Sequence, residues 1–220
     1  MRQSKQESVL GTGKELFLFS VPLILSGILQ QLYNWADAFI VGHSVGEEAL
    51  AAVGATSTIT NLFILLITGF TLGLSIYAAY KNGEKEQEEV RGILSSFLLI
   101  LGVTFLVLSM VGIALAGVIL TAMNTSNDMF LPASDYLRVI LLGIPVLAVY
   151  NLYSALLRAL NDSKAPFYAV LISSVLNVVL DILFVSSLSL GVMGAAAATV
   201  LSQSAMTVFI VFIPSRNIRC

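Results

Sequence analysis

Along the chain, polar and hydrophobic positions separate into six long apolar runs, at about 16–42, 50–80, 92–122, 133–160, 166–189 and 192–213. An α-helix needs roughly 20 apolar residues to cross the hydrocarbon core of a bilayer, and every run is long enough. The runs are continuously apolar and do not alternate with period two, so they predict helices and exclude the strands of a membrane barrel. Short breaks divide them: "GHSVGEEA", "KNGEKEQEEVR", "NTSNDMFLPAS", "LNDSKAP" and "LSLGVMG". Each is rich in Gly, Pro, Asn or charge, as turns are. The pattern predicts an all-α integral membrane protein with six transmembrane helices in one lobe over 15–213. A polar segment at 1–14 precedes the lobe and a short end at 214–220 follows it.

Composition strengthens this picture. The 220 residues are 57% hydrophobic and 11% charged, against about 25% charge in a soluble domain. Lys and Arg number 11 and Asp and Glu 13, so no basic excess points to nucleic acid. The single cysteine, Cys220, excludes an internal disulfide framework or a cysteine-built metal site. The first apolar run is far longer than a signal-peptide core and is followed by no small-residue cleavage site.

Basic residues then orient the chain. Arg2, Lys5 and Lys14 precede the first span, and Lys81, Lys85 and Arg91 lie between the second and third. Arg158 and Lys164 lie between the fourth and fifth, and Arg216 and Arg219 follow the sixth. Of the 11, Arg138 alone falls on the other side. Both termini are expected in the cytoplasm, with the protein in the plasma membrane of a prokaryotic cell.

Against this apolar background, polar residues inside the spans stand out, because charge at membrane depth is costly and usually functional. In the first span Gln30, Asn34 and Asp37 recur at i, i+4 and i+7 with Tyr33 at the edge of the stripe. Pro22, upstream, removes a helix hydrogen bond and is the expected hinge. In the fifth span Ser174, Asn177 and Asp181 share one face. At about 1.5 Å per residue, Asp37 and Asp181 fall at similar depth in the outer half of the bilayer. No lysine or arginine matches that depth, apart from Arg138 one or two turns outward. Two carboxylates flanked by amides and hydroxyls make a hard-oxygen cluster suited to Na⁺ or a proton. The fourth span adds Asn151 and Ser154, and the sixth adds Thr199 and Gln203. Ser154, Ser174 and Gln203 read as contacts between helices. The lone His43 falls in a predicted loop and is assigned no role; "EKEQEE" reads as a solvated loop opening the third helix.

Several of these stretches together carry a family resemblance. "ILQQLYNWADAFIVGHSVGEEALAAVGATSTI", "GIPVLAVYNLYSALLRALNDSKAPFYAVLISSVLNVVLDILFV" and "LGVMGAAAATVLSQ" resemble the amino-terminal half of the multidrug and toxin extrusion (MATE) transporters. The resemblance implies one of two six-helix lobes, paired about an axis normal to the membrane. It implies an antiporter that exports small organic cations in exchange for Na⁺ or H⁺, with no enzymatic activity and no other cofactor. It also implies a cation site built from Asp37, Asn177, Asp181, Asn151 and Thr199, with Gln30 and Tyr33 lining the adjoining cavity. The expected partners are those cations, the lipid bilayer, and a second lobe or a second copy of the chain. The chain is expected to be a fragment, a truncated reading frame or a half-transporter. The alternatives are a related lipid or polysaccharide flippase, which would need basic residues at mid-depth, or a membrane subunit that transports nothing.

Overall fold

The computed structural model describes residues 2–212, the side chains of 2–12 and 87 excepted. The expected end at 214–220 lies outside the described residues. Six helices follow one another: α1 Arg2–Ser44, α2 Glu47–Gly83, α3 Gln87–Ala122, α4 Asn127–Ala159, α5 Lys164–Asp181 and α6 Gly191–Phe212. All six are long and apolar enough to cross a membrane, and among the described residues there is no strand. Helical order in α1 continues back to Arg2 through the expected polar segment, where Gly11 and Gly13 weaken a helix but no proline stops it. The fifth apolar run divides in two: α5 ends at Asp181 and a π-helical turn, Ile182–Ser187, completes the run.

Local chemistry closes the helix ends. Lys85, Asn124 and Asn161 adopt left-handed backbones with φ of 64°, 54° and 64°. The following amide in each case reaches back five residues: Glu86 to the Lys81 carbonyl at 3.1 Å, Thr125 to Leu120 at 3.1 Å and Asp162 to Leu157 at 2.8 Å. This geometry satisfies carbonyls that the helix itself cannot.

Helix α4 is the axis of the lobe, packing chiefly against α2, α3 and α6, whereas α1 lies chiefly along α5. The main core joins Ile67 and Leu74 of α2, Leu101 and Phe105 of α3, Leu137, Leu141 and Ile144 of α4, Val170 of α5 and Ile210 of α6. Pro145 stands inside α4 and cannot donate to the Leu141 carbonyl. Ser109 of α3 replaces that bond, its Oγ donating to Leu141 O at 2.5 Å, and α4 continues unbroken. Gly143 marks the closest approach of α4 to α6, since a Cβ there would stand 2.8 Å from a Val200 methyl.

Candidate functional site

Two apolar helices carry one carboxylate each, and their packing brings the carboxylates together. Asp37 of α1 and Asp181 of α5 are both buried, Asp181 completely, and the two carboxyl groups stand within electrostatic reach of each other. Asn177, one turn before Asp181 on the same face, is 1% exposed. Its Nδ2 donates to Thr199 Oγ1 at 3.5 Å, adding α6 as a third wall. The buried hydroxyl of Tyr136, from α4, stands within electrostatic reach of both carboxyls.

Among the described residues, four oxygens here have no hydrogen-bond donor: Asp37 Oδ1, both oxygens of Asp181, and Asn177 Oδ1. Buried polar atoms are nearly always paired, so a group of orphaned acceptors on facing helices is the unusual feature of this site.

A cavity of about 620 Å³ opens beside the pair, between α1, α2, α4 and α6. Gln30, Tyr33, Asn34 and Asp37 line one wall and Thr199 and Gln203 another, so Asp37 and Thr199 belong to both the cavity and the carboxylate cluster. Ile140, Ile144 and Leu147 give it an apolar wall, and no basic side chain lines it. Ser57, Thr60, Asn61 and Tyr136 also line it. None of these four stood out in the sequence, where isolated hydroxyls and an isolated amide read as ordinary contacts between helices.

Other expected residues are placed differently. Asn151 does not line the cavity, and its Nδ2 donates to the Leu147 carbonyl of its own helix at 2.8 Å. Ser174 likewise bonds within its own helix, to Val170 O at 2.8 Å. Ser154 accepts from the Arg158 guanidinium one turn along α4. His43 belongs to the last turn of α1 and not to a loop, its ring stacked on Phe39 at 5.9 Å. Pro22 lies within α1, which stays helical through it.

Comparison with known proteins decides the family. The family model described as MatE matches residues 22–183. The chain belongs to the MatE family. Among curated MatE-type relatives, the probable multidrug resistance protein YpnP of Bacillus subtilis is 34% identical over 194 residues, covering 86% of this chain and 43% of that protein. YoeA of the same organism, also named a probable multidrug resistance protein, is 31% identical over 223 residues and is covered to 47%. A solved structure titled as MATE in the bent conformation superposes with a TM-score of 0.85 at 28% identity, over 94% of this chain and 50% of that one. The chain thus spans about half the length of the MatE relatives it matches, forming a six-helix lobe of the MATE fold.

Proposed function

We propose that this lobe carries the coupling-ion site of a secondary antiporter that exports small organic cations in exchange for Na⁺ or H⁺. The observation that carries this reading is the facing of two buried carboxylates from different helices, three of whose oxygens lack a donor. Among the described residues neither forms an ion pair with a lysine or arginine, so charge balance calls for a mobile cation. The cavity beside them presents Asp37 and no base, which favours positively charged cargo. Relatives named as probable multidrug resistance proteins support an export role for the whole transporter.

In this mechanism Asp37, Asn177, Asp181 and Thr199 supply oxygens to the ion, Asn151 acting in support from α4. Binding Na⁺ displaces a proton from the pair, so the two ions compete. An occupied site draws α1 toward α5 with Pro22 as the bending point, and because Gln30, Tyr33 and Asn34 ride on α1, the cavity changes shape with it. The lobe lies in the membrane with both termini cytoplasmic, as the basic residues imply, and works with a second lobe or a second copy.

The test is export of a fluorescent organic cation from cells or vesicles carrying the assembled transporter, with an imposed Na⁺ or H⁺ gradient. Export that follows one gradient and disappears in Asp37→Asn and Asp181→Asn is the expected result. Export indifferent to both gradients overturns the reading.

A further inference from the structure

The carboxylate pair is the deepest of three matched levels along the seam between α1 and the continuation of α5. One turn outward from Asp37 stands Val41, and Ser44 follows at i+7. Outward from Asp181 stand Val185 and then Ser186. The two valines are buried in one apolar cluster, with Val192 and Ala195 of α6 in the same cluster. The two serines meet directly, Oγ to Oγ at 3.0 Å. Beside them opens a second pocket of about 470 Å³, lined by His43, Ser44, Val185, Ser186 and Ser189 among others and by no lysine or arginine. It shares no residue with the cavity beside the pair.

The π-helical turn explains why the serines meet. Its wider winding brings residues five apart toward one face, whereas in an α-helix the fifth residue on points away. Wound as an α-helix, the run would carry Ser186 off the face of Asp181 and bring Leu188 there instead. Helix α6 backs this turn closely, since a Cβ on Gly194 would stand 3.1 Å from the carbonyl carbon and oxygen of Phe184. The turn is thus held from behind, and opening the seam falls to α1.

We propose that this seam is the outer entrance for the coupling cation: the second pocket collects the hydrated ion, Val41 and Val185 form an apolar gate, and the Ser44–Ser186 bond holds the gate shut. The proposal rests on the reading of the pair as the coupling-ion site, and it adds a route separate from the cargo cavity. Asp37 lines that cavity and Asp181 does not, which leaves Asp181 to be reached along the seam. Branched apolar side chains at a constriction exclude water, and an ion cannot shed its hydration against them, so the seam conducts only when they part. When α1 swings away from α5 at Pro22, Ser44 leaves Ser186 and the valines separate. The freed hydroxyls then replace water around the passing ion. When the occupied pair draws α1 back, the same bond closes behind it, and ion and cargo never have to pass each other.

The test is the rate at which Ag⁺, a thiol-reactive cation close to Na⁺ in size, reaches a cysteine placed at the pair. The full chain in lipid vesicles carries Cys220→Ser and Asn177→Cys, with Thr199→Cys as a second placement. Thiol left after a brief exposure is counted with a fluorescent maleimide. Ser44→Ala removes the clasp and should speed the reaction about fivefold to tenfold, the worth of one hydrogen bond. Val185→Phe thickens the gate and should slow it about tenfold, and Val41→Phe makes the same test from α1. Parent rates in Ser44→Ala, or in both phenylalanine variants, overturn the entrance and send the ion through the cavity, even where Asp181→Asn still slows Ag⁺ and the ion site stands. Rates that follow the gate variants but ignore Asp181→Asn take the ion away from the pair, and the proposal falls with that reading.

Discussion

Two prolines stand inside transmembrane helices of this lobe and their surroundings have opposite consequences. At Pro145 the freed carbonyl of Leu141 is taken by Ser109, and the flanking Ile144 and Ala148 are buried in the core. Thr207 of α6 adds a bond to the Val146 carbonyl at 3.2 Å. At Pro22 the corresponding carbonyl is that of Leu18, a residue 58% exposed, and no side chain among the described residues donates to it. A proline weakens a helix by removing a bond and crowding a turn. Neighbours that replace the bond turn the weakness into a fixed bend or a straight rod, and their absence leaves a joint. On the proposed mechanism α4 is the fixed post of the lobe and α1 its moving arm.

The largest effect expected from this contrast comes from cutting the signal that moves the arm. Asp181→Asn should reduce coupled export to background while the protein still inserts, because an amide keeps the shape of the carboxyl but cannot exchange charge with an ion. Spin labels on α1 and α5 should then show a separation that no longer changes with Na⁺ or pH. Next, Pro22→Ala restores the missing bond and stiffens the arm, and export should fall about tenfold, some 1.4 kcal/mol in barrier. Pro145→Ala, in a post already repaired, should leave export within about twofold, and an equal loss in the two proline variants would erase the distinction drawn here.

Ser109→Ala attacks the post directly. The Leu141 carbonyl would be buried without a donor, at a cost of about 1–3 kcal/mol, read as a lower melting temperature in detergent. The smallest effect belongs outside both regions. Lys81 pairs with Glu84 at 3.0 Å, Glu86 at 2.6 Å and Glu89 at 3.0 Å across the turn from α2 to α3. Its ammonium holds the Glu84 carboxyl below its ordinary value. A depressed carboxylate contributes above its unfolded value, about 4.3 for Glu, and that contribution is lost as pH falls through the folded value. Lys81→Met should therefore lower the melting temperature slightly at neutral pH, and the difference should fade on acidification.

Much of this was legible in the sequence, for a physical reason. A bilayer forces every span to be apolar, so Asp37, Asn177 and Asp181 stand out where the same residues in a soluble helix would not. Periodicity assigns each to a face, and similar depth suggests that the faces meet. It does not report which helix lies against which. Tyr136 was missed for that reason: an isolated hydroxyl in a membrane helix reads as an ordinary contact between helices until packing sets it near the carboxylates. Asn151 enters the proposed cation site by resemblance alone, and its Nδ2 is tied to the carbonyl one turn back. The π-helical turn at Ile182–Ser187 left no mark, since one residue too many in an apolar run changes neither composition nor period enough to notice.

The notch at Gly143 has a reach well beyond its own contacts. It lets Val200 settle against α4, and Val200 is the next residue after Thr199, which receives the Asn177 amide. The height at which α6 rests on α4 therefore sets the height of the Thr199 hydroxyl, and so one wall of the proposed ion site. A single methyl at Gly143 would prop the two helices apart like a shim under a bearing. Selectivity between ions of different radius would then shift through a residue that touches neither the ion nor the cargo.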